Sequence, residues 1–221
     1  MLRAIVLKEW LKLRWVWVAA LLIHLALLAQ LLLALRHQFR IEHSEMVWYW
    51  AFELRRLFHT QLQYLPAITG AALAVAQFGP EMLAGRLRLS LHLPLRTELL
   101  VLAWVGIGAA LGGALALLDA AALYTLVGLW FPHEAAFSAL LTALPWLLGG
   151  WVAYLATTLA LLEPVPGRRL INLALGAALL ALLYRHQGYQ EYDRILPWLT
   201  GVSLLLLPAV VLPVHRYRHR N

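Results

Sequence analysis

Residues Gly79 to Glu98 read GPEMLAGRLRLSLHLPLRTE, a long break in an otherwise apolar chain that combines charge, glycine and two prolines. Pro80 opens it, Arg86, Arg88 and Arg96 make it basic, and Pro94 ends any helix inside it. A basic segment of this kind between two apolar runs reads as a cytoplasmic elbow joining two membrane spans.

Composition fixes the class. Of 221 residues, 62% are hydrophobic and 13% are charged, against roughly 25% charged residues in a soluble domain. The chain therefore reads as an all-α integral membrane protein. The net charge of +7 fits orientation against anionic cytoplasmic lipid, and no basic face alternating with stacking aromatics points to nucleic acid. With no cysteine, disulfides, thiolate metal sites and cysteine nucleophiles are excluded.

On either side of the elbow the apolar runs predict six spans in one domain over residues 1–221: Trp15 to Leu35, Leu62 to Phe78, Leu99 to Trp130, Ala135 to Leu162, Leu170 to Tyr184 and Ile195 to Val214. Met1 to Arg14 places Leu2, Ile5, Val6, Trp10 and Leu13 near one side of a helix, with Arg3, Lys8, Glu9, Lys12 and Arg14 largely on the other, which predicts a separate interfacial helix on the cytoplasmic leaflet. Val47 to Leu62 repeats apolar residues at helical spacing and predicts an amphipathic outer helix or an extension of the second span. Of the 18 Lys and Arg residues, 12 fall in Met1–Arg14, the elbow, the Glu163 to Arg169 turn and the C-terminal tail, so both termini are expected in the cytoplasm of a multi-pass inner (plasma) membrane protein.

Polar residues inside the spans are few. His24 and Gln30 lie in the first and Asn172 in the fifth, without forming a convergent catalytic set. His24 reads either as a hydrogen-bond partner for a neighbouring helix or as part of a substrate pathway. Asp119, counted along the helix from Leu99, falls near the outer interface, as a solvated or capping carboxylate or as a substrate or proton site. Gly108 and Gly112, with Gly113 beside them, have the spacing of a close helix contact, and Pro145 with Gly149 and Gly150 predicts a kink or close contact in the fourth span. No phosphate-binding loop, HExxH or GxSxG occurs, and His215 and His219 lack the carboxylates of a metal site, so neither a catalytic nor a metal site is expected.

Glu81, Gly85, the stretch Arg86 to Leu93 with Arg88, then Pro94, Arg96 and Glu98 before a long span, resemble the cytoplasmic coupling segment of ATP-binding-cassette permeases of the type-two (ABC-2) exporter class. Lys8, Glu9 and Lys12 similarly resemble that family's K-E-x-x-K elbow helix before span one. The SLHL run from Ser90 to Leu93 and the short fifth span depart from the family pattern. The resemblance implies a non-catalytic permease subunit, homodimeric or paired with a related permease, whose coupling segment docks on a separate cytoplasmic ATPase. ATP and Mg would be bound by that partner, with no cofactor on this chain. It also implies export of a lipid, amphiphile or drug, or of a haem or metalloenzyme-maturation cargo. A non-transport scaffold or sensor is the alternative, and an intramembrane enzyme a weaker one.

Overall fold

The computed structural model describes residues 2–83, 96–185 and 188–218, and all of their regular structure is helical. The elements are α1 (Leu2–Ile41), α2 (Ser44–Phe52), a 3₁₀ turn (Thr60–Leu62), α3 (Leu65–Leu83), α4 (Thr97–Gly128), α5 (His133–Leu162), α6 (Pro166–Leu183), α7 (Leu196–Leu204), α8 (Leu206–Ala209) and α9 (Val211–Arg218). Five segments are long and apolar enough to cross a bilayer: Arg3–Ile41, Thr97–Gly128, His133–Leu162, Pro166–Leu183 and Leu196–Tyr217.

Two apolar clusters show how the helices alternate. One gathers Leu13 of α1, Phe78 of α3, Leu100 and Trp104 of α4, Leu159 of α5 and Val214 of α9. The other gathers Leu31 and Leu35 of α1, Leu65 of α3, Leu123 and Val127 of α4 and Ala139 of α5. α1, α3, α4 and α5 thus each run from one cluster to the other, and these successive helices run antiparallel.

α1 is one 40-residue helix, about 60 Å long, with no break near Arg14. Ile5, Glu9, Leu13, Ala20, His24, Leu28, Leu31 and Leu35 are its buried residues, at spacings that keep them on one face for its whole length. The first turns are therefore the start of the same packed stripe, where a separate interfacial helix was expected. The amphipathic outer helix is also shorter than its pattern: α2 stops at Phe52, and Arg55 takes a left-handed conformation (φ 49°).

α3 falls short of the apolar character of the five candidate spans, and it meets α1, α4 and α5. It packs chiefly on α5, and the contact depends on two glycines. A Cβ on Gly70 would fall inside the Gly150 carbonyl oxygen, and one on Gly150 would lie 2.9 Å from the Pro66 carbonyl oxygen. Both obstacles are backbone, which has little freedom to shift. Pro80 does not end α3, which continues to Leu83 and holds Glu81 in its last turn.

The last two spans differ from their apolar runs for proline reasons. Pro166 starts α6, so that helix has 18 residues and includes Arg168 and Arg169, which the sequence places in a turn. The final span is interrupted at Leu205 and Val210. Those breaks directly follow Leu204 and Ala209, whose carbonyls lose their i+4 partners at Pro208 and Pro213.

Replacing Gly70 by Ala is predicted to cost about 2–3 kcal/mol by forcing α3 and α5 apart. Gly106→Ala, where nothing lies within 4 Å, is predicted to be neutral or to stabilise by up to about 1 kcal/mol. Thermal unfolding in detergent checks both, and equal tolerance of the two substitutions contradicts the packing account.

Candidate functional site

The buried stripe of α1 carries two residues that an apolar core does not hold unaided, Glu9 and His24, 1% and 0% exposed. They are 15 residues apart, close to four helical turns, and so face the same neighbours at different depths. Each is met by a polar side chain from α3.

His24 Nδ1 lies 2.8 Å from Asp119 Oδ2 and 2.9 Å from Oδ1, and His24 Nε2 lies 3.0 Å from Thr69 Oγ1. Three helices, α1, α3 and α4, thus each contribute one polar group. Asp119 is 3% exposed and sits in the buried stripe of α4, one turn from both Leu115 and Leu123. It is therefore neither solvated nor a helix cap. The first turns of α4, with Leu100 and Trp104, pack beside the first turns of α1, which brings Asp119 level with His24. An ionised Asp119 requires a proton on Nδ1, leaving Nε2 to accept from the Thr69 hydroxyl or, once protonated, to donate to it. The group can hold a proton against the carboxylate and exchange one on the Thr69 side. There a cavity of about 60 Å³, lined by His24, Thr69, Gly108 and Gly112 among others, has room for a few waters and falls well short of a drug-sized pocket.

The second cluster lies nearer the start of α1. Gln77 donates from Nε2 to Glu9 Oε2 (2.9 Å) and to the Trp104 carbonyl (2.8 Å), and its Oε1 accepts from the Tyr154 hydroxyl (2.8 Å). Lys12 Nζ sits 2.7 Å from Glu9 Oε1 and 3.0 Å from Glu81 Oε1, and Lys8 Nζ is 2.7 Å from Glu81 Oε1. Two cations and two carboxylates balance, which is what burying Glu9 and Glu81 requires. Gly108 makes room for the Tyr154 hydroxyl and the Gln77 amide, both of which a Cβ there would overlap. Gly112 has only Leu73 Cδ1 nearby, at an ordinary 3.6 Å.

Beyond these clusters, Glu163 is 0% exposed and pairs through Oε2 with Arg216, while its carbonyl accepts from Arg169. His215 Nε2 is 3.0 Å from Glu98 Oε1, so the tail is anchored on two helices through its first basic residues. Arg96 is exposed and directly precedes α4. Gly85, Arg86, Arg88, Leu93 and Pro94, and with them the expected coupling helix, lie outside the described residues, as does His219. Gln30 is exposed, and Asn172 reaches only the Leu159 carbonyl at 3.4 Å. Thr69, Gln77, Tyr154 and Glu163 were not singled out in the sequence. The signal that could have found Thr69 and Gln77 is the spacing of α3, where Leu65, Thr69, Leu73, Gln77 and Glu81 recur every fourth residue. Among the described residues no group of three His, Asp or Glu could hold a metal ion.

No family model, curated protein or solved structure matches the chain.

Asp119→Asn removes the carboxylate that faces His24 and is predicted to destabilise the chain by about 3 kcal/mol. His24→Gln together with Asp119→Asn is predicted to cost at least about 1 kcal/mol less than the two single substitutions summed, because they share one interaction. Thermal unfolding in detergent tests this, and additive losses contradict a coupled pair.

Proposed function

We propose that the chain is the membrane-spanning permease subunit of an ATP-driven exporter of the ABC-2 type. Its partners would be a cytoplasmic ATPase and a second permease, either another copy or a relative. The observation that carries this is the ion-paired junction at the end of α3. Lys8 and Lys12, from the K-E-x-x-K element, meet Glu81, the acidic residue that opens the elbow resemblance. Two stretches that resemble the same family at separate places in the sequence are thus in contact.

The junction also suggests how force would travel. A push on the segment that follows Leu83 would enter α3 at Glu81. It would pass to α1 through Lys8 and Lys12, to α4 and α5 through Gln77 with the Trp104 carbonyl and Tyr154, and to α5 again through Gly70 and Gly150. Packed helices with ion-paired and backbone-tight contacts move as bodies, which suits a rocking transition between inward and outward states.

In this reading α3 is a sixth span. Its 19 residues extend about 28 Å, close to the hydrocarbon thickness, and its polar residues face protein partners, so it needs little apolar character of its own. Six crossings put both termini on one side, and the lysine and arginine bias makes that side cytoplasmic. His24 and Asp119 then lie within the bilayer, where a hydrogen-bonded ionisable pair marks a pathway for substrate or protons. The cargo class remains that implied by the resemblance: a lipid, amphiphile, drug, or haem or metalloenzyme-maturation cargo.

Co-expression with its ATPase tests the proposal. The complex is predicted to copurify and hydrolyse ATP, and Glu81→Gln combined with Gly85→Ala is predicted to lower transport per ATP by roughly tenfold while the chain still inserts. Full transport by the doubly substituted chain contradicts coupling through this junction. Function with no ATPase bound favours a scaffold or sensor.

A further inference from the structure

A second, larger cavity of about 280 Å³ lies at the other end of the bundle, where α1 finishes. Leu31 and Leu35 form its inner wall, and Phe52, Phe58 and Phe131 form much of the rest. Two of its lining residues are polar in a specific way. Arg55, an exposed residue, is the one charged residue on the wall, and it has no carboxylate partner among the described residues. His59 is 2% exposed, lies against the Trp146 ring (5.3 Å between centroids), and its buried Nε2 has no hydrogen-bond partner.

The backbone around the cavity is unusual as well. Arg55 (φ 49°) and Gln190 (φ 55°) are the two non-glycine residues with positive φ among the described residues, and both line it. The two loops are pinned together and to α5. The Tyr189 hydroxyl donates to the Arg56 carbonyl at 3.3 Å, and the Gln190 N–H donates to Thr142 Oγ1 at 3.2 Å. Strained backbone gathered at one concavity, with a polar atom left unpaired inside it, is the arrangement of a ligand clamp.

We propose that this cavity binds an acyl-chain amphiphile with an anionic oxygen headgroup, carboxylate or phosphate, its head facing Arg55 and His59 and its chain lying against Leu31, Leu35 and Phe131. An unpaired guanidinium on an otherwise uncharged wall selects an anion, and planar donors suit carboxylate and phosphate alike. Burial pushes the His59 imidazole down to about 4, so it enters as a neutral partner offering a hydrogen bond and no second positive charge. The volume suits a headgroup and the first part of a chain. The site is independent of the transport reading, because binding requires no ATPase.

Equilibrium binding of tritiated dodecanoate and tritiated dodecyl phosphate to the full chain in maltoside micelles tests it, with dodecanol and dodecyltrimethylammonium as competitors. Saturable binding of at least one anion at one site per chain is expected, displaced by neither competitor, and the anion that binds identifies the headgroup. Arg55→Asn, which keeps a residue tolerant of positive φ, is expected to weaken binding about tenfold or more, while Arg36→Asn, at an exposed arginine near the end of α1, leaves it within about threefold. Ala139→Phe, which fills the cavity from α5, is expected to abolish it. Equal affinity for dodecanol or the cation, or binding unchanged in Arg55→Asn, overturns the proposal whether or not the filled variant folds.

Discussion

The polar groups that α1 buries find partners within the protein, and α3 supplies one to each of them. Thr69 meets His24, Gln77 meets Glu9, Trp104 and Tyr154, and Glu81 meets Lys8 and Lys12. Leaving any of these groups unpaired would cost about 1–3 kcal/mol, and more for a charged one, which fixes the register of α1 against α3 more tightly than apolar contact alone. Gly70 and Gly150 then let α5 come close enough for Tyr154 to join the network. The helix that falls short of the five apolar spans thus packs against α1, α4 and α5, with its polar residues facing protein.

The same requirement separates the molecule into levels. At one end a charge-balanced ion cluster, open to solvent through the half-exposed Lys8, ties the first turns of α1 to the end of α3. At mid-depth His24, Asp119 and Thr69 form a closed hydrogen-bonded group beside a small cavity. At the far end the packing loosens into the larger cavity under the residue 53–59 and 188–190 loops. α6 stands apart from all three. Only Gly176 and Leu183 of it are buried, and Gly176 is where it meets Ala156 of α5, leaving most of its apolar surface facing outward.

The all-helical class and the approximate positions of the long helices are legible in hydrophobic runs, because run length is a local property. His24 and Asp119 can be picked out singly as ionisable residues in apolar surroundings. Their pairing is not legible, since 95 residues separate them and nothing local joins them. Glu9 was assigned to the wet side of a surface helix on its charge. The four-residue spacing of Ile5, Glu9 and Leu13 contains the opposite message, which becomes readable only when the stripe is followed to His24 and Leu35. The breaks after Leu204 and Ala209 were within reach of the sequence, four residues before each proline. The turn at Arg55 was not, because the apolar pattern runs helically through it while the backbone does not.

The most direct test asks whether α3 crosses the membrane. The chain has no cysteine, so single cysteines at Arg3, Ile41 and Leu83, all exposed, can be probed one at a time with a membrane-impermeant maleimide in sealed vesicles of known orientation. Six spans with cytoplasmic termini predict that Arg3→Cys and Leu83→Cys are labelled from the cytoplasmic face and Ile41→Cys from the opposite face. Labelling of Leu83→Cys from the same face as Ile41→Cys contradicts the account, because α3 would then not cross and the junction of Lys8, Lys12 and Glu81 could not lie on one side of the membrane.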